Sequence, residues 1–133
     1  MPDISIKYEG NLRTTATHLK SGSIISTDAP IDNKGKGEKF SPTDLFATAL
    51  GSCMLTIMGI TAQAYGFSID GSNLEIDKKM GKNPRRVSRI KIIININGEF
   101  SDKEKQLLMS AAKHCPVSKS IHSDIKEEMV FNF

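Results

Sequence analysis

Only two of the 133 residues are cysteine, too few for a disulfide framework. Neither C-x-x-C nor H-x-x-x-H spacing occurs among them and the three histidines, so nothing in the pattern predicts a zinc site. Charge of either sign is also in short supply as a functional signal. Eighteen basic against fifteen acidic residues leave a net +3, which by itself argues for neither a nucleic-acid nor a membrane partner. Internal repeats and low-complexity stretches are missing too. No basic-plus-apolar leader precedes the strand-like opening Met1-Pro2-Asp3-Ile4, which makes the cytoplasm the expected compartment. There a lasting structural bridge is unusual, so two thiols that pair are expected to do so transiently.

What remains is the composition of a folded domain. Apolar residues make up 38% and charged residues 25% of the chain, unlike a disordered sequence. At this length a single domain, residues 1–133, can bury a core without metals or disulfides.

Residues 4–8 and 12–19 read as strands around the turn-forming Glu9-Gly10-Asn11, with a third strand over 23–27. A polar, glycine-rich loop follows through Asn33-Lys34-Gly35-Lys36-Gly37. Ser41-Pro42-Thr43-Asp44 is a helix start: Ser41 caps, Pro42 suits the first helical position, and Asp44 completes a capping box. The helix is predicted to reach Tyr65, where Gly66 ends it. From Leu45 to Ser68 no residue is charged, long enough to span a bilayer. Its threonines, serine, glutamine and glycines, bracketed by Asp44 and Asp70 without flanking Lys or Arg, favour a helix buried on nearly all sides instead.

A strand beginning at Leu74 and Ile76 turns at Gly81-Lys82-Asn83-Pro84 and returns with Ile90, Ile92, Ile94 and Ile96 on one face. Ser101-Asp102-Lys103-Glu104 opens a second helix that His114-Cys115-Pro116 breaks. A short helix or turn through Ile121 and a closing strand over Glu128–Phe133 complete the order. Segregated strands and helices predict an α+β fold with a largely antiparallel sheet and a long buried central helix. So short a chain cannot cover an apolar helix on every side, and a homodimer with this helix near its interface is expected.

Cys53, mid-helix in Gly51-Ser52-Cys53-Met54, is on its own well explained as a small buried hydrophobe. Cys115 directly precedes Pro116 and so falls at a helix cap, where backbone N–H groups and nearby Lys113, His114 and Lys119 favour thiolate. Reactive and structural readings of Cys115 both stand. Brought together, the two thiols could reduce an oxidant by sulfenic acid formation and then disulfide formation. A peroxidase also needs a cation for the leaving alkoxide. Arg13 and Lys20 are the candidates, and Asp44 is the nearest acid that could orient the arginine. Against Asp44, nine residues of helix put it on the opposite face from Cys53, roughly 13 Å down the axis. His114 or His122 beside a cysteine could serve a hydrolase, but surface histidines are the plainer reading. The segment Lys78–Lys91 carries seven positive charges without an aromatic for base stacking; it straddles a turn and reads as a solvated hairpin tip, not a nucleic-acid site.

The stretch Phe40-Ser41-Pro42-Thr43-Asp44-Leu45-Phe46-Ala47-Thr48-Ala49-Leu50-Gly51-Ser52-Cys53, followed by His114-Cys115-Pro116-Val117-Ser118-Lys119-Ser120-Ile121, resembles the OsmC/Ohr family, as does the order of elements. The resemblance implies an intertwined α+β homodimer with two active sites at the subunit interface and no cofactor. It implies reduction of organic hydroperoxides by Cys53 as peroxidatic and Cys115 as resolving thiol, with turnover by a dithiol such as a lipoylated protein. Two departures stand out. Thr43 occupies the family's glutamate position, with Asp44 one place later, and His18-Leu19-Lys20 replaces a Gly-Gly-Arg motif, leaving Arg13 as a substitute. They point to a less characterised branch and keep a second reading open: a non-catalytic redox-sensing or small-molecule-binding protein on the same fold.

Overall fold

The computed structural model describes residues 2–133, which form two compact units, one up to Phe46 and one from Ala47 to Phe133. In the first unit β1 (Ile4–Gly10), β2 (Arg13–His18) and β3 (Ile24–Asp28) make an antiparallel sheet in sequence order. Its register sets Ile6 against Ala16 and Ala16 against Ile25, so the apolar side chains of alternate positions share one face. That face is left open: Ile4, Ile6 and Tyr8 are 57%, 68% and 63% exposed. The opposite face carries Arg13 directly across from Asp28. Beyond β3 the glycine-rich loop folds back, with the Gly37 N–H donating to the Ala29 carbonyl and that of Gly35 to Pro30.

Helix α1 (Pro42–Ala64) begins as its sequence predicts. The Asp44 N–H donates to Ser41 Oγ at 3.0 Å and the Ser41 N–H to Asp44 Oδ2 at 2.9 Å, a reciprocal cap. It ends at Gly66, whose φ of +79° lets the Phe67 N–H reach back to the Ala62 carbonyl. By length and composition α1 is apolar enough to cross a membrane. The expected burial on nearly all sides is corrected in one respect. Ala47, Leu50, Gly51, Met54, Met58 and Ala62 form one buried stripe, while Thr48, Ser52, Thr56 and Ile60 are exposed on another. A three-stranded sheet can cover only one side of a helix.

That sheet comprises β4 (Asn73–Gly81), β5 (Arg86–Asn95) and β6 (Lys126–Asn132) in sequence order. Ile90, Ile92 and Ile94 of β5 are fully buried at spacing two. α1 comes so close to β4 at Gly51 that a Cβ there would lie 2.7 Å from Ile76 and 2.8 Å from Leu74. β4 and β5 are antiparallel, but β6 runs parallel to β5, which requires the crossover through α2 (Asp102–Lys113) and α3 (Pro116–Ser120). The expected α+β class holds, with two small sheets in place of one and one parallel pair among the antiparallel ones. α2 opens with the predicted Ser101–Glu104 capping box and buries Leu108 and Ala112.

Candidate functional site

Within the second unit, Cys53 projects from the middle of α1, half-buried, and Cys115 caps the N-terminus of α3, fully buried. Their thiols come within hydrogen-bonding reach of each other, and both are free. Positions 62 apart in sequence are thus adjacent in space. The Ser118 N–H donates to Cys115 Sγ at 3.3 Å, the sulfur acting as the side-chain cap of α3.

The cap was expected to favour a thiolate at Cys115. The balance runs the other way: burial pushes the Cys115 thiol up, the Ser118 N–H opposes it, and Cys53 and the Glu127 carboxylate push it up further. A sulfur with no solvent exposure loses more hydration than one amide of a five-residue helix returns. Glu127 is reached from the same turn, Ser118 Oγ–H donating to its Oε1 at 2.8 Å.

In the first unit, Arg13 grips Asp28 with two parallel hydrogen bonds, Nε to Oδ1 at 2.7 Å and Nη2 to Oδ2 at 2.8 Å. Nη2 also donates to Glu38 Oε1 at 3.0 Å, and the Glu38 N–H donates to Asp28 Oδ2 at 3.2 Å. Arg13 holds the Asp28 carboxyl below its ordinary value and is itself raised by the same bonds. The carboxylate that orients Arg13 is therefore Asp28, with Glu38 beside it, and Asp44 serves the helix cap. Asp28 carried a legible signal. It stands as far beyond the Leu19-Lys20-Ser21-Gly22 turn as Arg13 stands before it, and antiparallel pairing puts such residues opposite each other. Glu127 and Ser118 carried none, because a parallel partner strand gives no local clue to register.

The histidines are scattered: His18 Nδ1 meets Ser21 Oγ, His114 Nδ1 meets the Ser110 carbonyl, and His122 Nδ1 accepts from the Asp124 N–H. Among the described residues no three His, Cys, Asp or Glu side chains gather as metal ligands. On the basic hairpin Arg86 pairs with Asp124 and Arg89 with Glu128, whose carboxyl is held below its ordinary value. Lys20 is exposed. One position from Cys53 along α1, an apolar groove of about 240 Å³ is lined by Thr48, Gly51, Ser52, Leu55, Leu74 and Ile76.

Comparison with known proteins is consistent with this fold. A Psychrobacter arcticus protein provisionally assigned to the osmotic-stress and detoxification response is 49% identical, with a TM-score of 0.96 over 99% of this chain and 96% of that one. The organic hydroperoxide resistance protein OsmC of Legionella pneumophila superposes with a TM-score of 0.77 over 100% of this chain and 98% of that one, at 15% identity. An OsmC-like protein of Mycoplasma pneumoniae does so at 0.78 over the same shares, at 18% identity. The last two show likeness of fold alone. An uncharacterized protein of Methanocaldococcus jannaschii is 32% identical over 104 residues, 72% of this chain. The chain spans about half the length of that relative (53%). The sequence profile of the OsmC-like protein family matches residues 35–129, and the chain belongs to that family.

Proposed function

We propose that this chain is a thiol-dependent peroxidase that reduces organic hydroperoxides through Cys53 and Cys115. The observation that carries the reading is the meeting of the two sulfurs, one half-buried and one fully buried. The Cys53 thiolate attacks the distal peroxide oxygen; the O–O bond breaks, an alcohol leaves with a proton, and Cys53 becomes a sulfenic acid. Cys115 then displaces the sulfenic oxygen as water and the disulfide forms. The partial exposure of Cys53 suits it to meet substrate, and the burial of Cys115 suits it to wait. The apolar groove beside Ser52 supports an organic peroxide over hydrogen peroxide, because it offers a seat for a hydrocarbon group and few polar partners. Arg13, oriented by Asp28, is the residue proposed to stabilise charge on the leaving oxygen. A dithiol, such as a lipoylated protein, would return the disulfide to thiols, and a homodimer is the proposed working form.

The test is a thiol titration of reduced protein treated with cumene hydroperoxide. Two thiols per chain are expected to disappear rapidly, and Cys53→Ser should abolish the reaction. Cys115→Ser should still consume peroxide but stop at an oxidised Cys53. Slow thiol loss that does not depend on peroxide would sink the peroxidase and favour a redox-sensing or binding protein.

A further inference from the structure

The surroundings of Cys115 contain a carboxylate that the thiol chemistry above does not use. Register places Glu127 on the inward face of β6, in the cross-strand row Lys78–Ile90–Glu127, and Ile90 between them is fully buried. A carboxylate turned toward a core needs a partner. Here Ser118 supplies it from the first turn of α3, donating its hydroxyl proton to Glu127 while its own amide N–H donates to the Cys115 sulfur. One residue therefore couples the carboxylate to the sulfur.

We infer that Glu127, held by Ser118 next to the Cys115 sulfur, is a positioning residue that adds to burial in keeping Cys115 a thiol until Cys53 has been oxidised. The inference rests on reading Cys53 and Cys115 as a redox pair. The charged and titratable groups around Cys115 are few. Cys53 faces it from α1 and Glu127 from β6, and Lys78 of β4 stands at the far end of the row. β5 presents the apolar Val87, Ile90, Ile92 and Ile94, while Lys113, His114 and Lys119 are solvent-exposed. A negative charge facing a sulfur opposes its ionisation, and Cys53 and Glu127 both raise the Cys115 thiol in addition to burial.

The order of events follows. A neutral Cys115 is a poor nucleophile toward peroxide, so the first two-electron oxidation falls on Cys53. Once Cys53 is a sulfenic acid, the Cys115 sulfur attacks it. The S–H and S–O bonds break, the S–S bond forms, and the thiol proton leaves with the sulfenic hydroxyl as water. A thiolate at Cys115 in the reduced protein would instead compete for peroxide at a sulfur without solvent exposure.

The experiment needs no peroxide. In Cys53→Ser protein the thiolate absorbance near 240 nm reports Cys115 alone, after subtraction of the same titration of the doubly substituted Cys53→Ser, Cys115→Ser chain. Glu127→Gln keeps an oxygen for Ser118 and removes the charge. At pH 9 it should raise the ionised fraction of Cys115 at least about threefold, the effect of deleting one nearby like charge. Glu127→Asp should restore the original curve, which a purely structural role would not. Ser118→Ala, which keeps the N–H donor and frees the carboxylate, should also move the curve. Titrations that coincide for all of these variants while their circular dichroism spectra match the parent's would overturn the inference. Absence of peroxide-driven disulfide in the unsubstituted chain would overturn the peroxidase reading and leave this titration standing, so the two failures are distinguishable.

Discussion

Asp28 keeps its charge without solvent because three donors converge on it: Arg13 Nε, Arg13 Nη2 and the Glu38 N–H. A carboxyl held below its ordinary value stabilises the fold at pH values above the unfolded aspartate pKa, about 4. That stabilisation fades as pH falls through the lower folded value. Arg13→Gln keeps much of the side chain's length and deletes the cation, so the fade should begin at higher pH. The acid-unfolding midpoint, followed by far-ultraviolet circular dichroism, is expected to move upward, and Tm at neutral pH to fall by several degrees. An unchanged acid midpoint would show that the pair adds nothing to the fold. The same residue marks how far sequence reading reaches among the candidate residues. Cys53, Cys115 and Arg13 could be named from the sequence as candidates, because the chain has only two thiols and a single arginine before Arg85. Asp28 was legible only through the hairpin register, and Glu127 not at all, since nothing near it in sequence says which strand it will lie beside.

At the scale of elements, the glycine-rich loop shows a local rule obeyed for a nonlocal reason. Gly35 is required because a Cβ there would lie 1.8 Å from the Ala29 carbonyl oxygen, closer than any rotamer change could relieve. The close approach brings Glu38 to Arg13 and Asp28. Gly35→Ala should therefore cost about 1–3 kcal/mol in urea unfolding. Gly22→Ala would be a poor control, because its φ of +77° penalises alanine by itself. Gly59, with open space at its Cβ and a helical backbone, is the better one, and its alanine variant should be neutral or mildly stabilising. Both helix caps, the end of α1 and the alternation of isoleucines in β5 could be read from sequence, because capping boxes and period two are properties of adjacent residues. The parallel pairing of β6 could not, nor its start at Lys126 instead of Glu128, since only contact with β5 decides them.

At the scale of the molecule, the sequence conveyed the α+β class but not its division into two sheets, because strand spacing says which segments are extended and not which of them pair. The open face of the first sheet, with Ile4, Ile6 and Tyr8 in a row on β1, and the exposed stripe on α1 are apolar or small-residue surfaces of the kind that subunits cover. We therefore expect sedimentation equilibrium to give about twice the 14.6 kDa chain mass, and Ile6→Lys to shift it toward a single chain. A monodisperse 14.6 kDa species for the unsubstituted chain at tens of micromolar would refute the dimer. The meeting of Cys53 with Cys115 has a consequence for the unfolded chain as well. A bond between them would tie the disordered polypeptide into a loop of about 60 residues, removing conformational freedom worth roughly 4 kcal/mol on the chain-entropy scale. Were the two thiols to cycle through a disulfide as proposed, a sturdier protein would alternate with a looser one, and oxidant would favour the form that best resists melting.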